Sequence, residues 1–420
     1  MEILSQKLQV ALDNRHKDGR LLEPPRPDTL QDLIDLGSND TLSLSSSKPL
    51  REKIFHQLQA NPGVPMGSRS SRIFEGTGQY LIDIERNLAE FHGSEAGIFF
   101  NSGYDANVAV WSTLPQPGDV VLYDEYVHAS IHDGMRRGRA KTMQFRHNDP
   151  SSFRDCLRDI VADTPAIARG ASVAFVALES FYSMDGDAAP ARELIKIAQQ
   201  QLPLRNFIFS IDEAHSNGLI GPNGSGFVCY HALEKEVMIR LNTCGKALGL
   251  TGAILLCNDV MKRTLINYSR GVMFSTAPSF VMVAAVKASY QLLASAEGQK
   301  RRDCLQQNIY SFHRKLTGHP KWIDAKAEGI LALPTERAIH LEPFLSPVIS
   351  LITPPYEAKD LQRHLQRAGF WVNVAHYPIV PKNKDRVRIV VHTHNTEKQI
   401  DNVVEQIMHW ASGRCEKISI

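Results

Sequence analysis

The chain has 420 residues, 43% of them hydrophobic, enough to bury a large core and to form one large domain with a smaller one beside it. Lys+Arg 47 against Asp+Glu 45 leaves a net charge of +2, and no basic run is long enough to track a phosphate backbone, which argues against nucleic acid as a partner. Six cysteines without a CxxC pair or regular spacing point to free thiols in a reduced compartment rather than a disulfide framework.

Taken in chain order, the opening MEILSQKLQVALDNRHKDG reads as a polar amphipathic helix, not a signal peptide. No apolar run reaches membrane-spanning length, and the closing EKISI is not the Ser-Lys-Leu peroxisomal address. The expectation is therefore a cytoplasmic protein with no membrane contact. Residues 1–50 form an N-terminal arm that ends in SNDTLSLS (38–45), and 51–294 form the large domain. Within it AGIFFNSG (96–103), DVVLYD (119–124), SVAFVALES (172–180), NFIFSID (206–212), EVMIRLNT (236–243) and GAILLCN (252–258) are short apolar runs ending in polar or small residues. Helix patterns such as APARELIKIAQQQL, with Pro190 near its start, lie between them. This alternation predicts an α/β fold with a mainly parallel central sheet and helices on both faces. Ligands of such sheets sit beyond the carboxyl ends of the strands, so the polar residues ending these runs are the first place to look for chemistry. From about residue 295 the pattern changes. SPVISLITPP, FWVNVAHYPIV and DRVRIVVHT alternate as an antiparallel sheet would, and EAKDLQRHLQRAG and TEKQIDNVVEQIMHWASG read as helices. Residues 295–420 are expected to form a small α+β domain.

The stretch FIFSIDEAHSNG (207–218) contains Asp-Glu-Ala-His, which spells a helicase box. A helicase also needs the phosphate loop Gly-x-x-x-x-Gly-Lys-Ser/Thr. Its nearest match is Gly245-Lys246, with Arg240 where the first glycine belongs and Ala247 where the hydroxyl residue belongs. The helicase reading fails there. A second reading starts from Asp212 at a strand end and from Lys246, held in the Gly-flanked turn NTCGKALG after another strand. A held, partly desolvated amine suits Schiff-base formation, and pyridoxal 5′-phosphate (PLP) needs such a lysine together with a carboxylate on its ring nitrogen. On their own the two residues are equally an exposed lysine and a strand-terminal aspartate. Ser102-Gly103-Tyr104 sits where a strand turns into a helix, and Gly103 lets backbone N–H groups approach an anion at the helix's positive end. Thr243 adds a hydroxyl three residues before Lys246. A substrate carboxylate calls for a fork-shaped cation, and DRVRIVVHTHNT offers Arg386 and Arg388 on one face of a strand. The HTH at 392–394 lacks companion carboxylates or cysteines, so no metal site is expected.

Seven stretches in order, SNDTLSLS, NSGYDANVAV, DEYVHASIHDGMRRGRAK, SFYSMDGDAAP, IDEAHSNGLIGPNGSG, TCGKALGLTGA and FSTAPS, give the chain a resemblance to the α-oxoamine synthases. These are fold-type I PLP enzymes that join an amino acid to an acyl thioester with loss of CO₂. The resemblance runs from about 35 to 410 and is strongest to fungal 8-amino-7-oxononanoate synthase-like members. It implies Lys246 as the Schiff-base lysine, Asp212 as the partner of the ring nitrogen, His215 with Ser183 at the phenolic oxygen, and His128 flat on the ring. The phosphate would be held by Ser102, Gly103, Tyr104 and Thr243, and by Ser275 and Thr276 of a neighbouring subunit, which makes the protein a homodimer with shared sites. Substrate binding would fall to Asn39, Arg388 and His376. The product would be an α-aminoketone, made from an amino acid and an acyl-CoA or a carrier-protein thioester.

Three departures stand out. Thr41 and Ser43 replace an aromatic and a glycine of the family's lead-in segment, Ile73 and Leu81 replace histidines that many members have, and His376 stands where bacterial biotin-pathway members usually carry arginine. A histidine cannot reproduce a permanent bidentate contact to a carboxylate. These differences keep open an oxoamine synthase diverted to polyketide or other specialised acyl thioesters. A plain aminotransferase and a catalytically silent partner subunit are further alternatives.

Overall fold

The computed structural model describes residues 2–18, 20–25, 27–30, 32–336 and 343–418; the Ser-Ile that ends EKISI lies outside them. Among the described residues there are twelve strands: β1 (Ile34–Asp35), β2 (Ala96–Phe100), β3 (Val120–Asp124), β4 (Lys141–Phe145), β5 (Ala174–Glu179), β6 (Phe207–Asp212), β7 (Val237–Thr243), β8 (Ala253–Cys257), β9 (Val348–Ile352), β10 (Phe370–Trp371), β11 (Asn373–Ala375) and β12 (Arg386–Val390). Seven of them form the main sheet in the order β2-β8-β7-β6-β5-β3-β4. All six apolar runs of the large domain are strands in it. The seventh strand, β4, lies at the sheet edge with Lys141, Thr142 and Gln144 exposed and only Phe145 buried, so its sequence KTMQF shows no apolar run to find.

Pairs β3/β4, β3/β5, β5/β6 and β6/β7 are parallel, whereas β8 runs antiparallel to both β7 and β2. The reason is local. A parallel return needs a crossover of a dozen or more residues, and the turn 244–252 between β7 and β8 is shorter than that. Alternate residues of each strand feed two separate cores, as a period of two requires. On one face Val176, Leu178, Phe209 and Ile211 pack with Phe153 and Leu194 from the helices Pro150–Asp163 and Ala191–Gln201. On the other, Val121, Phe175, Ala177 and Leu241 pack with Val110 and Ile131 from the helices Gly103–Thr113 and Ala129–Arg137. Every residue of β5 is buried, as expected of a strand covered on both faces.

The smaller sheet, β11-β12-β9, is antiparallel, and the helices Ala358–Arg367 and Glu397–Ile418 follow the two helix patterns of the C-terminal region. The N-terminal arm joins this part of the molecule: β1 pairs in parallel with β10. His392 contacts Ser38 at 2.9 Å and His394 contacts Ser43 at 2.6 Å, so the two histidines of HTH hold the lead-in segment. The helix Glu2–Lys17 forms as its pattern predicts and has no buried residue. Among the described residues no helix is long and apolar enough to cross a membrane.

Candidate active site

The carboxyl ends of β5, β6 and β7 bring Glu179, Asp212 and Thr243 to one edge of the sheet, and Glu179 and Asp212 are register partners. Both side chains project toward the helix Gly103–Thr113, because the alternate residues Leu178 and Ile211 face the opposite core. A cavity of about 140 Å³ opens there, lined by Gly103, Tyr104, Asn107, His128, Ser130, Glu179, Asp212, Thr243 and Lys246 among others.

Lys246 Nζ lies 2.9 Å from His215 Nε2. Burial lowers the lysine's pKa, against the raising influence of Asp212 and Glu179. His215 is held well below the usual imidazole range by burial and then by the charge of Lys246, so it is neutral and its Nε2 accepts from the ammonium. Asp212 is buried and held through both oxygens: Oδ2 accepts from Asn107 Nδ2 at 2.8 Å, and Oδ1 accepts from the backbone N–H of Ala214 at 2.9 Å, which leaves lone pairs for a further donor. Asn107 Nδ2 also donates to Ser130 Oγ at 2.9 Å, and Ser130 Oγ lies 2.7 Å from His128 Nδ1. One hydrogen-bonded chain thus runs Asp212–Asn107–Ser130–His128. His128 additionally caps the helix Ala129–Arg137, since its Nδ1 accepts from Ser130 N–H at 3.3 Å, so the capping residue and the cavity residue are the same histidine.

Two features suit an anion at the cavity mouth. Ser102 caps the helix Gly103–Thr113 by accepting from Asp105 N–H, which leaves the first-turn N–H groups of Gly103 and Tyr104 without backbone partners. A Cβ added at Gly103 would meet Thr243 Cβ and Oγ1 at 3.4 Å, in van der Waals contact, so the start of the helix lies directly against the threonine. The Tyr104 hydroxyl donates to Asp133, and its ring sits edge-on to His128.

Sequence reasoning did not single out Asn107, Ser130 or Glu179. Glu179 is 3% exposed, and among the described residues its Oε1 has no hydrogen-bond partner. Burial and then neighbouring Asp212 push its pKa up to about 8, so the carboxyl is mostly protonated at neutral pH. Its position at a strand end was the available signal.

The two arginines of β12 part company in the structure. Arg386 forms a buried ion pair with Asp185. Arg388, 6% exposed, pairs with no carboxylate among the described residues: its Nε donates to Ser183 O at 2.7 Å and its Nη2 to Asn39 Oδ1 at 3.0 Å. Burial pulls its pKa down to about 10, and its charge in turn helps to lower those of His215 and Lys246. Ser183, Asn39 and Arg388 therefore form one contact set beside the lysine. Ser275 and Thr276 lie elsewhere, exposed, in a separate hollow of about 400 Å³, where Asn101 Nδ2 donates to Thr276 O at 3.1 Å. His376 does not line the Lys246 cavity either. It lies between two surface hollows of about 580 and 730 Å³ that share Lys359 and Val374.

Residues 31–407 match the family aminotransferase class I and II. The chain is 39% identical over 382 residues to aminoacyl transferase sphA of Aspergillus fumigatus, covering 91% of this chain and 81% of that protein. It is equally 39% identical, over 387 residues, to 8-amino-7-oxononanoate synthase of Emericella nidulans, covering 91% and 90%. Among solved structures, serine palmitoyltransferase from S. paucimobilis with a bound PLP–myriocin aldimine superposes with a TM-score of 0.77 at 26% identity, covering 91% of this chain and 88% of that one. With a match across most of its length and relatives at this identity, the chain belongs to the aminotransferase class I and II family, in its α-oxoamine synthase branch.

Proposed function

We propose that the protein is a PLP-dependent acyltransferase that condenses an amino acid with an acyl thioester, releasing CO₂ and free thiol and giving an α-aminoketone. One observation carries the reading. A single cavity at the carboxyl ends of the strands gathers a desolvated lysine amine, a buried aspartate fixed through both oxygens and the N-terminus of a helix. That donor set fits PLP, which has a phosphate, a ring nitrogen that must stay protonated and a carbonyl for an amine. When bound, PLP supplies the electron sink that makes a carbanion accessible beside the amino group.

The rest of the chemistry belongs to the chain. Asp212, fixed from two sides, holds a negative charge for the ring nitrogen. The N–H groups of Gly103 and Tyr104, with Ser102 and the Thr243 hydroxyl nearby, hold the phosphate. His215 and Ser183 serve the phenolic oxygen, and His128 closes the cavity against water. Arg388, buried without an anion of its own, takes the carboxylate of the amino acid, with Asn39 steadying its guanidinium. Lys246 moves the Cα proton, and burial, which lowers its pKa, favours the free amine that such a base needs.

Ser275 and Thr276 reach the cavity of the other subunit in a homodimer. Their exposure, next to exposed Phe274 and Tyr268, supports that arrangement. The cytoplasm is the compartment proposed for it. Two relatives at equal identity carry different names, and His376 stands in the place of an arginine, which favours a second reading in which the acyl thioester comes from specialised metabolism. The test is to incubate the PLP-loaded protein with single amino acids and acyl thioesters while measuring CO₂, free thiol and product mass. Equal release of CO₂ and thiol is expected; formation of a 2-oxo acid instead would replace the proposal with aminotransfer.

A further inference from the structure

We propose that His147, not among the residues lining the cavity and outside every motif above, is a positioning residue that sets the aim of Arg388 through the loop 183–187; this rests on Arg388 taking the amino-acid carboxylate. His147 follows β4. Its Nδ1 lies 2.8 Å from Asp124 Oδ1 and its Nε2 2.8 Å from Asp187 Oδ2. Both ring nitrogens face carboxylates, so both must donate and the ring is an imidazolium. The Tyr126 ring stacks on it at 4.2 Å and Tyr182 packs edge-on at 4.5 Å, fixing its plane. Asn148 joins the same clamp, its backbone N–H donating to Asp124 Oδ2 at 2.8 Å and its Nδ2 to Asp187 Oδ2 at 2.6 Å.

Asp187 closes the loop, its carbonyl accepting from Tyr182 N–H at 2.9 Å. Within the loop Gly186 sits at φ +78°, and a Cβ there would lie 2.0 Å from Val348 O, so the loop packs directly on β9. The opposite end of the loop carries the arginines of β12: Asp185 pairs with Arg386, Met184 O accepts from Ser350 Oγ, and Ser183 O accepts from Arg388 Nε. The end of β3 is thereby tied through one charged histidine to the backbone carbonyl that orients Arg388. The same histidine, with Asp185 and Asp187, approaches a metal-binding geometry. Each group is already engaged, however, and the Arg386 guanidinium supplies the cation there.

Amino-acid binding to the PLP-loaded protein, followed by absorbance titration, tests this, with acyl-thioester KM and the rate at saturating amino acid measured alongside. His147→Gln and Asp187→Asn are each expected to weaken amino-acid affinity about tenfold while the other two quantities change less than about threefold, as for removal of an outer-shell partner. The combined variant is expected to lose far less affinity than the product of the two single losses, because the His147–Asp187 bond is common to both changes. Either single variant carries the test if the other does not fold. Unchanged affinity, or losses that multiply in the double variant, would overturn the inference. Arg388→Lys separates the two claims. If it leaves amino-acid affinity intact, the carboxylate role of Arg388 falls; if it weakens affinity while the His147 and Asp187 variants do not, only the positioning role falls.

Discussion

The strength of the His147 clamp can be measured without any substrate, through the dependence of stability on pH. Burial alone would lower the pKa of His147, but the hydrogen bonds to Asp124 and Asp187 outweigh it and raise the value from 6.5 to about 9. A raised folded-state pKa stabilises the fold below the unfolded value of 6.5, and the contribution fades as pH rises through 9. Those two values give roughly 2 to 3 kcal/mol at pH 7 and almost nothing at pH 10. His147→Gln keeps a neutral donor but has no proton to lose. Urea unfolding of the parent and of His147→Gln, under identical cofactor saturation at pH 7, 8.5 and 10, should show the parent's advantage shrinking by roughly 2 to 3 kcal/mol over that range. Glu179, pushed up to about 8, titrates in the same window, but it does so in both proteins and cancels in the difference. The other groups facing the ring, Glu125, Tyr126 and Tyr182, are likewise common to both. An advantage that stays constant with pH, or grows toward pH 10, would refute the charged clamp.

Asp212→Asn must turn an amide N–H toward either Asn107 Nδ2 or Ala214 N–H, both of them donors, and cannot keep a ring nitrogen protonated; turnover should fall roughly a thousandfold, and a loss under tenfold would remove Asp212 from the chemistry. Lys246→Ala and Thr276→Arg should each be inactive yet regain activity when mixed and reassembled, because one site of the mixed dimer keeps its own Lys246 and takes Thr276 from the other chain. An active monomer in sedimentation would end the shared-site proposal. His376→Arg should improve kcat/KM for an acyl thioester ending in a carboxylate by roughly ten- to a hundredfold over an uncharged one of equal length, the worth of a charge-assisted contact; no change would show that His376 does not select the acyl chain.

How far the sequence could be read depended on whether a residue's environment is local. A strand buried on both faces must be apolar along its length, which is why β5 and β6 announce themselves; β4, paired on one side only and facing water, had no such constraint to display. The direction of β8 was encoded only in the shortness of the turn before it. Strand-end Asp212 and turn-held Lys246 could be picked out because position along an element already suggests chemistry. Asn107 could not, since an asparagine inside a helix looks unremarkable until the helix is laid across the strand end that carries Asp212.

The two arginines of β12 make the point most sharply. Arg386 and Arg388 are two residues apart on the same strand face, chemically identical, and both buried. No periodicity separates them. What separates them is Asp185, which the loop 183–187 delivers to one guanidinium and withholds from the other. Taking a guanidinium out of water is costly unless an anion meets it, so an arginine buried beside neutral acceptors alone is tolerated where a ligand completes the pair. Arg386 already has its anion and holds the loop in place. On the proposed function Arg388 is the one left for an incoming carboxylate, and the loop that pairs with the first cation also accepts a hydrogen bond from the second.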